Sequence, residues 1–329
     1  KTFLDLINLS TPTEIFKGMV MNQYLNETGV PLSVAVYLAT DHYDYVPNTI
    51  SATGLMKPVR QQVLAKRVPK EMGRSDITSF VKSRMGTSIH DGLEKAWSGD
   101  NYKQGMAALG YPQKVIDRIV VNPEHDPLPN EIPVYMEQRM FREFMGTTIS
   151  GKFDFIAEGR LEDFKSTSTY TWTNNTKTDD YQLQGSIYRW LDQGKRITED
   201  HIAIQFFFTD FMATRAKSDP KYPSRQVEQL LVPLLSLDDT EDYIRGKLTQ
   251  LEMYKAQDES EIPQCNDAEL WRKAPAFKYY RDPAKRTRST KNFETSGEAY
   301  DRLVKDGGKG IVVETPGQVI ACKFCRRNG

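Results

Sequence analysis

This sequence of 329 residues has neither a membrane-spanning segment nor a signal-peptide pattern, and it has few cysteines. No apolar run approaches the ~18–20 residues that cross a membrane, and the opening KTFLDLINLS does not have the character of a signal peptide. Only three cysteines are present, an odd number that argues against a disulfide framework and fits a reducing compartment. We therefore expect a soluble, intracellular protein of the cytoplasm, or of the host cytoplasm if the gene is viral.

The net charge is zero, because 44 Lys and Arg balance 44 Asp and Glu. Any affinity for a polyanion must therefore come from local patches of charge. The length suffices for one large domain, or for a domain with a substantial appendage. We expect an N-terminal extension over residues 1–49, a core over 50–211 and a C-terminal extension over 212–329.

The most informative stretch is ISGKFDFIAEGRLEDFK, which spans residues 149–165 and predicts two strands joined at Glu158-Gly159. The register that follows from this turn pairs Ala157 with Arg160, Ile156 with Leu161, Phe155 with Glu162, and Asp154 with Asp163. Two carboxylates at paired positions, ~4.5–5.5 Å apart at Cβ, destabilise a sheet unless a cation lies between them. A metal ion is the obvious cation for this position.

Strand alternation adds a lysine to the two carboxylates. Lys165 is expected on the same face as Asp163, with Glu162 and Phe164 on the other face. Oxygen ligands of this kind suit Mg²⁺ or Mn²⁺, and a nearby ammonium can orient or help deprotonate an attacking water. The alternative interpretation is a solvated hairpin with an ordinary salt bridge.

Polar candidates also lie on two predicted helices. A helical pattern over residues 75–97 places His90 between apolar neighbours, either as a core side chain or as a metal ligand. The segment DDYQLQGSIYRWLDQG predicts a helix on which Gln184 and Tyr188 lie side by side. That pair is either a helix surface or a contact to a phosphate backbone or to the catalytic loop.

Other segments carry less specific signals. Lys57 and Arg60 lie on a predicted basic helix and could touch phosphates, although a solvated helix face is the alternative. Further predictions are a helix over residues 11–26, a strand over 134–145, a strand buried on both faces over 201–211, and a charged helical region over 225–256. The segment LWRKAPAFKYYRDPAKRTRSTK, residues 270–291, mixes basic and aromatic residues, which suits single-stranded or frayed nucleic acid. A charged β-hairpin without that role is the alternative.

Taken in order, these pieces resemble the PD-(D/E)XK nuclease superfamily in its RecB-type and phage exonuclease branch, which includes lambda exonuclease and the CRISPR-adaptation exonucleases. The matching pieces, within residues 50–211, are His90 in SIHDGLE, Gly151-x-x-Asp154, Asp163-x-Lys165 and Gln184-x-x-x-Tyr188. The resemblance implies an α/β fold in which helices flank a central mixed β-sheet. A helical N-terminal extension and a mixed C-terminal extension would complete this fold.

The resemblance also implies roles for the residues of the hairpin. Asp154, Asp163 and the main-chain carbonyl of Phe164 would bind Mg²⁺ or Mn²⁺, with His90 as a further metal ligand from a helix. Lys165 matches the residue that positions the nucleophilic water. These implied roles make Asp154, Asp163 and Lys165 the catalytic set.

The DNA contacts implied are less specific. Gln184 and Tyr188 match a helix that lies beside DNA in the family, and Lys57 and Arg60 join them as candidate DNA-binding residues. One departure is that Glu162 could be read as the first carboxylate of the D/E-x-K pair. Strand parity argues against it, because Glu162 and Lys165 would point to opposite faces.

The function implied is metal-dependent hydrolysis of DNA phosphodiester bonds by an exonuclease that acts on linear duplex or single-stranded ends. Its setting would be phage-type recombination, repair or replication, as a homo-oligomer or with a single-strand-annealing partner. The same-class alternative is a structure-selective or nicking endonuclease. From another class, the chain could be a non-catalytic DNA-binding or assembly protein that keeps the fold, although the Asp-Asp-Lys set argues against this.

The cysteines bear on a second cofactor. Relatives with an iron–sulfur cluster supply four cysteines, because such clusters need four thiolates. This chain has only Cys265, Cys322 and Cys325, and the upstream segment LMKPVR has none. We expect no iron–sulfur cluster; the alternatives are a zinc site completed by His or water, and free thiols near the chain end.

Overall fold

The computed structural model describes residues 24–40, 46–68 and 75–325. Within these residues the strands are β1 (Tyr24–Leu25), β2 (Thr49–Ser51), β3 (Ser75–Asp76), β4 (Ile119–Val121), β5 (Ile132–Met136), β6 (Arg139–Phe144), β7 (Thr147–Lys152), β8 (Phe155–Ala157), β9 (Arg160–Thr167), β10 (His201–Phe208), β11 (Val227–Pro233), β12 (Ala276–Tyr280), β13 (Lys291–Phe293) and β14 (Ile311–Thr315). The α-helices are α1 (Leu32–Ala39), α2 (Ala52–Leu55), α3 (Val59–Ala65), α4 (Val81–Trp97), α5 (Asn101–Ala108), α6 (Gln113–Ile116), α7 (Thr169–Asn174), α8 (Thr178–Asp192), α9 (Ala213–Ala216), α10 (Leu237–Tyr254) and α11 (Ser296–Lys305).

A mixed six-stranded sheet lies at the centre, in the order β11-β10-β9-β8-β5-β4. β9 runs parallel to β10 and antiparallel to β8. On β10 the side chains of Ile202, Ile204 and Phe206, which share one face, are at most 1% exposed. On the opposite face Ala203 is buried but Gln205 and Phe207 are only partly buried, so the predicted burial on both faces is complete on one face alone. The predicted α/β fold with a central mixed sheet is confirmed.

Helices cover both faces of this sheet. On one face, α8 packs against β10 and α10, and its Ile187, Trp190 and Leu191 are buried. On the other face, α4 packs against β9, and the ring of Trp97 lies 5.1 Å from the ring of Phe155. Residues of β9 therefore alternate between two hydrophobic clusters, one under each layer of helices.

Three smaller sheets accompany the central one. β2, β7 and β6 form a three-stranded sheet, β1 pairs with β3, and β13, β12 and β14 form an antiparallel sheet against which α11 packs. None of the helices in the described ranges is long and apolar enough to cross a membrane. Because β11 pairs with β10, the central sheet continues beyond residue 211; the division at residues 49 and 211 stays a prediction.

The hairpin has the predicted turn, but its first arm is broken. The three pairs from Ala157↔Arg160 to Phe155↔Glu162 are observed. At Phe153 the chain changes sheets, since β7 belongs to the three-stranded sheet and β8 to the central one. Asp154 lies just outside β8 and is not a strand partner of Asp163, so this part of the prediction is wrong. The break is favoured by burial of Phe153, which is 0% exposed.

Other boundaries also differ from the predictions. The segment over residues 134–145 is two strands, β5 and β6, separated where Glu137 has a φ of 52°. The region over 225–256 begins with β11 before α10. The predicted helix over residues 11–26 lies mostly outside the described residues. Two of its last residues, Tyr24 and Leu25, form β1 instead.

We predict that Gly151→Ala destabilises the protein, because α8 packs directly on this residue of β7. A Cβ at Gly151 would lie 2.7 Å from Leu191 Cδ1 and 2.8 Å from Tyr188 Cε1. Overpacking of this kind costs about 1–3 kcal/mol. The matched control is Gly246→Ala on α10, where a Cβ meets nothing within 4 Å and helix propensity favours Ala by up to about 1 kcal/mol. Urea denaturation measures both, and a Gly151→Ala variant as stable as the wild type would contradict this packing.

Candidate functional site

A cleft of about 940 Å³ opens beside α4 and the hairpin. Its lining includes His90, Glu137, Gly151, Lys165 and Tyr188. Four of these come from segments that the sequence singled out, and Glu137 does not. The cleft therefore brings residues from two helices, two strands and a turn to one place.

His90 projects from α4 toward the end of the hairpin. Its Nε2 lies 3.1 Å from the main-chain oxygen of Phe164, and its Nδ1 lies 3.4 Å from Glu137 Oε1 and 3.6 Å from Asp154 Oδ1. The imidazole also contacts the Phe164 ring edge-on, at 5.9 Å between centroids. His90 thus faces the carboxylates of Glu137 and Asp154, and its role as a metal ligand stays a prediction.

Asp154 is fixed by the strand opposite it. Its Oδ2 accepts a hydrogen bond from the main-chain N–H of Phe164 at 2.7 Å. This bond leaves Oδ1 directed toward His90. The break in the hairpin therefore produces the orientation, because a residue inside the ladder would point its side chain straight out of the sheet.

Asp163 lies on the α8 side of β9 and is 1% exposed. Its Oδ2 forms an ion pair with Lys165, and its Oδ1 accepts a hydrogen bond from Gln184 Nε2 at 3.0 Å. The same amide donates to the hydroxyl of Tyr188 at 3.1 Å. Gln184 is therefore buried against Asp163 of the hairpin, and contact of Gln184 or Tyr188 with DNA stays a prediction.

Glu137 is the member of the site that the sequence did not reveal. Its carboxylate forms an ion pair with Lys152 at 2.7 Å and also contacts His90. Ligand atoms of His90, Glu137 and Asp154 lie within 4.8 Å of one another, so these three residues could hold a metal ion. The only sequence signal was a glutamate that interrupts a strand-like run two residues before β6.

Three other candidates lie apart from this cluster. Glu162 points away from Lys165, as predicted, and bonds with Gln205 Nε2 at 2.9 Å. The guanidinium of Arg60 is held by Glu259, at 2.8 Å, and by the main-chain oxygen of Ile262. Lys57 is exposed and does not line the cleft. DNA contacts by Lys57 and Arg60 stay predictions, and the structure gives Arg60 a role in holding the C-terminal part of the chain.

The cysteines also lie away from the cleft. Cys265, Cys322 and Cys325 are all described and form no disulfide bond. Burial, the charge of Glu269 and the nearby Cys322 raise the pKa of the Cys265 thiol. Among the described residues, the three cysteines do not form a ligand group of the kind that His90, Glu137 and Asp154 form.

Comparison with known proteins gives matches only among solved structures. No protein-family model matches the sequence, and no curated protein matches it. A phage-related exonuclease from Haemophilus somnus 129PT is 14% identical, with 63% of this chain and 93% of that chain covered at a TM-score of 0.29. A protein from Eubacterium rectale, inferred to be an exonuclease, is 11% identical, with 93% of each chain covered at a TM-score of 0.31. Similarity at this level decides neither family nor activity.

The pKa values of the residues in this cluster depend on the charges of their neighbours. Burial and the neighbouring Asp163 raise the pKa of Asp154 to about 7. Burial would lower the pKa of His90, but the hydrogen bond with Glu137 and the charge of Asp154 outweigh it and raise this pKa to about 8. Lys165 is held charged, since the pull of Asp163 outweighs burial and raises its pKa. Near neutral pH the site therefore holds protons that a metal ion would displace.

We predict that the metal-free protein loses stability as the pH rises from about 6 to about 8.5. The folded state binds the Asp154 proton more tightly than the unfolded chain, since its pKa rises from 3.8 to about 7; this contribution is complete below pH 3.8, declines above it and is gone above pH 7. The contribution of His90 has the same sign, because its pKa rises from 6.5 to about 8; it is complete below 6.5 and lost through 8. Between pH 6 and 8.5 each contribution falls by roughly 1–2 kcal/mol, since one pH unit between the unfolded and folded pKa corresponds to about 1.4 kcal/mol.

Thermal unfolding in EDTA across this pH range measures the effect. The double variant Asp154→Asn, His90→Gln should show a clearly smaller decline than the wild type. An equal decline in both proteins would assign the pH dependence to other groups.

Proposed function

We propose that this protein is a metal-dependent nuclease that hydrolyses DNA phosphodiester bonds, acting as an exonuclease on DNA ends. The observation that carries the proposal is that the group formed by His90, Glu137 and Asp154 lies at a cleft that Lys165, the ion-pair partner of Asp163, also lines. The preference for ends over internal sites comes from the resemblance of the sequence to phage-type exonucleases.

The donor set fits a divalent cation. His90 offers an imidazole nitrogen, Glu137 and Asp154 offer carboxylate oxygens, and the main-chain oxygen of Phe164 is in contact with the same imidazole. Mn²⁺ accepts both imidazole and carboxylate ligands, and Mg²⁺ prefers the oxygens. Asp163 is near enough to raise the pKa of Asp154, although its own contacts are with Lys165 and Gln184. When bound, such a cation polarises a phosphate and lowers the pKa of water.

Besides a bound cation, the side chain of Lys165 supplies positive charge to the site. Its ammonium is anchored by Asp163 and lines the cleft, so it can hold a phosphate oxygen or orient a water molecule against it. Gln184 keeps Asp163 in place through its amide. Asp163 and Gln184 therefore position Lys165, and Lys165 is the group that would touch the substrate.

Binding of DNA is supported by the cations of the cleft wall. Lys82, Arg84, Arg139 and Lys152 line the cleft together with Lys165. Phosphate groups bind where such side chains gather in a concave surface. Lys152 is paired with Glu137, so engagement of Glu137 by a cation would release an ammonium toward the substrate.

We predict that Asp163→Asn lowers the rate of DNA cleavage about 100-fold or more, because Lys165 loses its anchor and the site loses a carboxylate. The matched control is Glu162→Gln, which removes a carboxylate from the adjacent position on the opposite face of β9. The assay uses end-labelled linear DNA and closed circular DNA in Mg²⁺, in Mn²⁺ and in EDTA.

The expected result is degradation of linear DNA by the wild type and by Glu162→Gln, dependent on metal, with circular DNA left intact. Cutting of circular DNA would indicate a structure-selective or nicking endonuclease instead of an exonuclease. Absence of cleavage in both Mg²⁺ and Mn²⁺ would favour a non-catalytic DNA-binding or assembly protein. Equal activity of Asp163→Asn and the wild type would reject the proposed site.

A further inference from the structure

We propose that the C-terminal sheet carries a second DNA-binding surface, separate from the cleft. Its centre is the basic loop, residues 281–290, which joins β12 to β13 and carries Lys285, Arg286 and Arg288. The inference rests on the proposed function, since the DNA held by the loop is the substrate of the cleft.

The first observation is the concentration of positive charge. Residues 270–291 contain eight Lys or Arg and a single acid, Asp282, in a chain whose total charge is zero. The whole of residues 281–288 is exposed. A local patch of this kind attracts a polyanion even though the net charge of the protein does not.

The second observation is that the cations at the tip of the loop are little used within the protein. Lys285 approaches Asp282 only at 3.9 Å. Arg286 donates to the main-chain oxygen of Pro283 at 3.0 Å, and no ion pair joins Arg286 or Arg288 to any acid in residues 24–40, 46–68 and 75–325. Their charges remain available to phosphate groups.

The third observation is that the base of the loop is closed by specific bonds. Arg281 pairs with Asp306 at 3.0 Å, and its main-chain N–H donates to Thr290 Oγ1 at 3.0 Å. The N–H of Thr290 donates to the main-chain oxygen of Tyr279 at 2.8 Å. Because its base is closed, the loop holds the tip cations close together before DNA binds. This preorganisation lowers the entropic cost of binding.

The fourth observation connects this region with the catalytic hairpin. Trp271, near the start of the basic segment, is 50% exposed, and Lys177 Nζ lies 5.1 Å from its ring centroid. Lys177 ends the connection that leaves β9 after Lys165 and passes through α7. An exposed indole among cations suits a DNA end with unpaired bases, because such bases stack on it.

The test compares two triple variants. Lys285→Gln, Arg286→Gln, Arg288→Gln removes the tip cations, whereas Lys114→Gln, Lys195→Gln, Lys217→Gln removes three exposed lysines from other parts of the surface. Binding of a fluorescent DNA duplex with a single-stranded overhang is measured in EDTA at several salt concentrations. Loss of two to three phosphate contacts should reduce the slope of log K against log salt by about two to three, since each contact contributes about 0.9.

The loop variant should show this reduced slope and weaker binding, about tenfold or more at ~0.1 M salt, with an unchanged melting temperature, while the lysine control keeps the wild-type slope. Charge reversal at the same three positions to Glu should weaken binding further. Equal slopes for the loop variant and the wild type would overturn the second surface. Because binding is read without cleavage, a wild type that binds with a steep slope but never cuts DNA would reject the proposed nuclease and leave the surface standing.

Discussion

The main-chain groups of Phe164 hold the candidate site together. Its N–H donates to Asp154 and its carbonyl oxygen lies against His90, so one residue of β9 orients a carboxylate from the break in the hairpin and an imidazole from α4. The neighbours of Phe164 on the strand, Asp163 and Lys165, point to the opposite face and form their ion pair there. Movement of β9 by one residue would exchange these faces and remove both halves of the site.

The acidic and basic groups of the site balance one another in charge. Three carboxylates, of Glu137, Asp154 and Asp163, are matched by three basic groups, of His90, Lys152 and Lys165. Burial of unpaired carboxylates would be costly, and each of these has a basic partner or shares a proton instead. A divalent cation would replace protons and ammonium groups as the neutralising charge, which links metal affinity to pH.

Much of the fold and of the site followed from the sequence, for local reasons. The turn at Gly159 determines the hairpin register, and alternation then separates Glu162 from Lys165. Strand periodicity could not reveal the break at Phe153, because the alternating pattern runs through it and the break depends on a core formed by distant segments. Glu137 was missed for a similar reason, since its φ of 52° divides two strands inside a continuous strand-like run. Arg60 shows the same limit, because its partner Glu259 is far away in the chain.

The central claim is that His90, Glu137 and Asp154 hold a divalent cation next to a phosphate that Lys165 contacts. A crystal structure with Mn²⁺ and a deoxynucleoside monophosphate, with anomalous scattering recorded from manganese, tests it most directly. The account predicts an anomalous peak among the three side chains, at about 2.0–2.2 Å from ligand atoms, and a phosphate within hydrogen-bond distance of Lys165. Manganese bound elsewhere, or a nucleotide bound outside the cleft with this group of side chains unchanged, would contradict it.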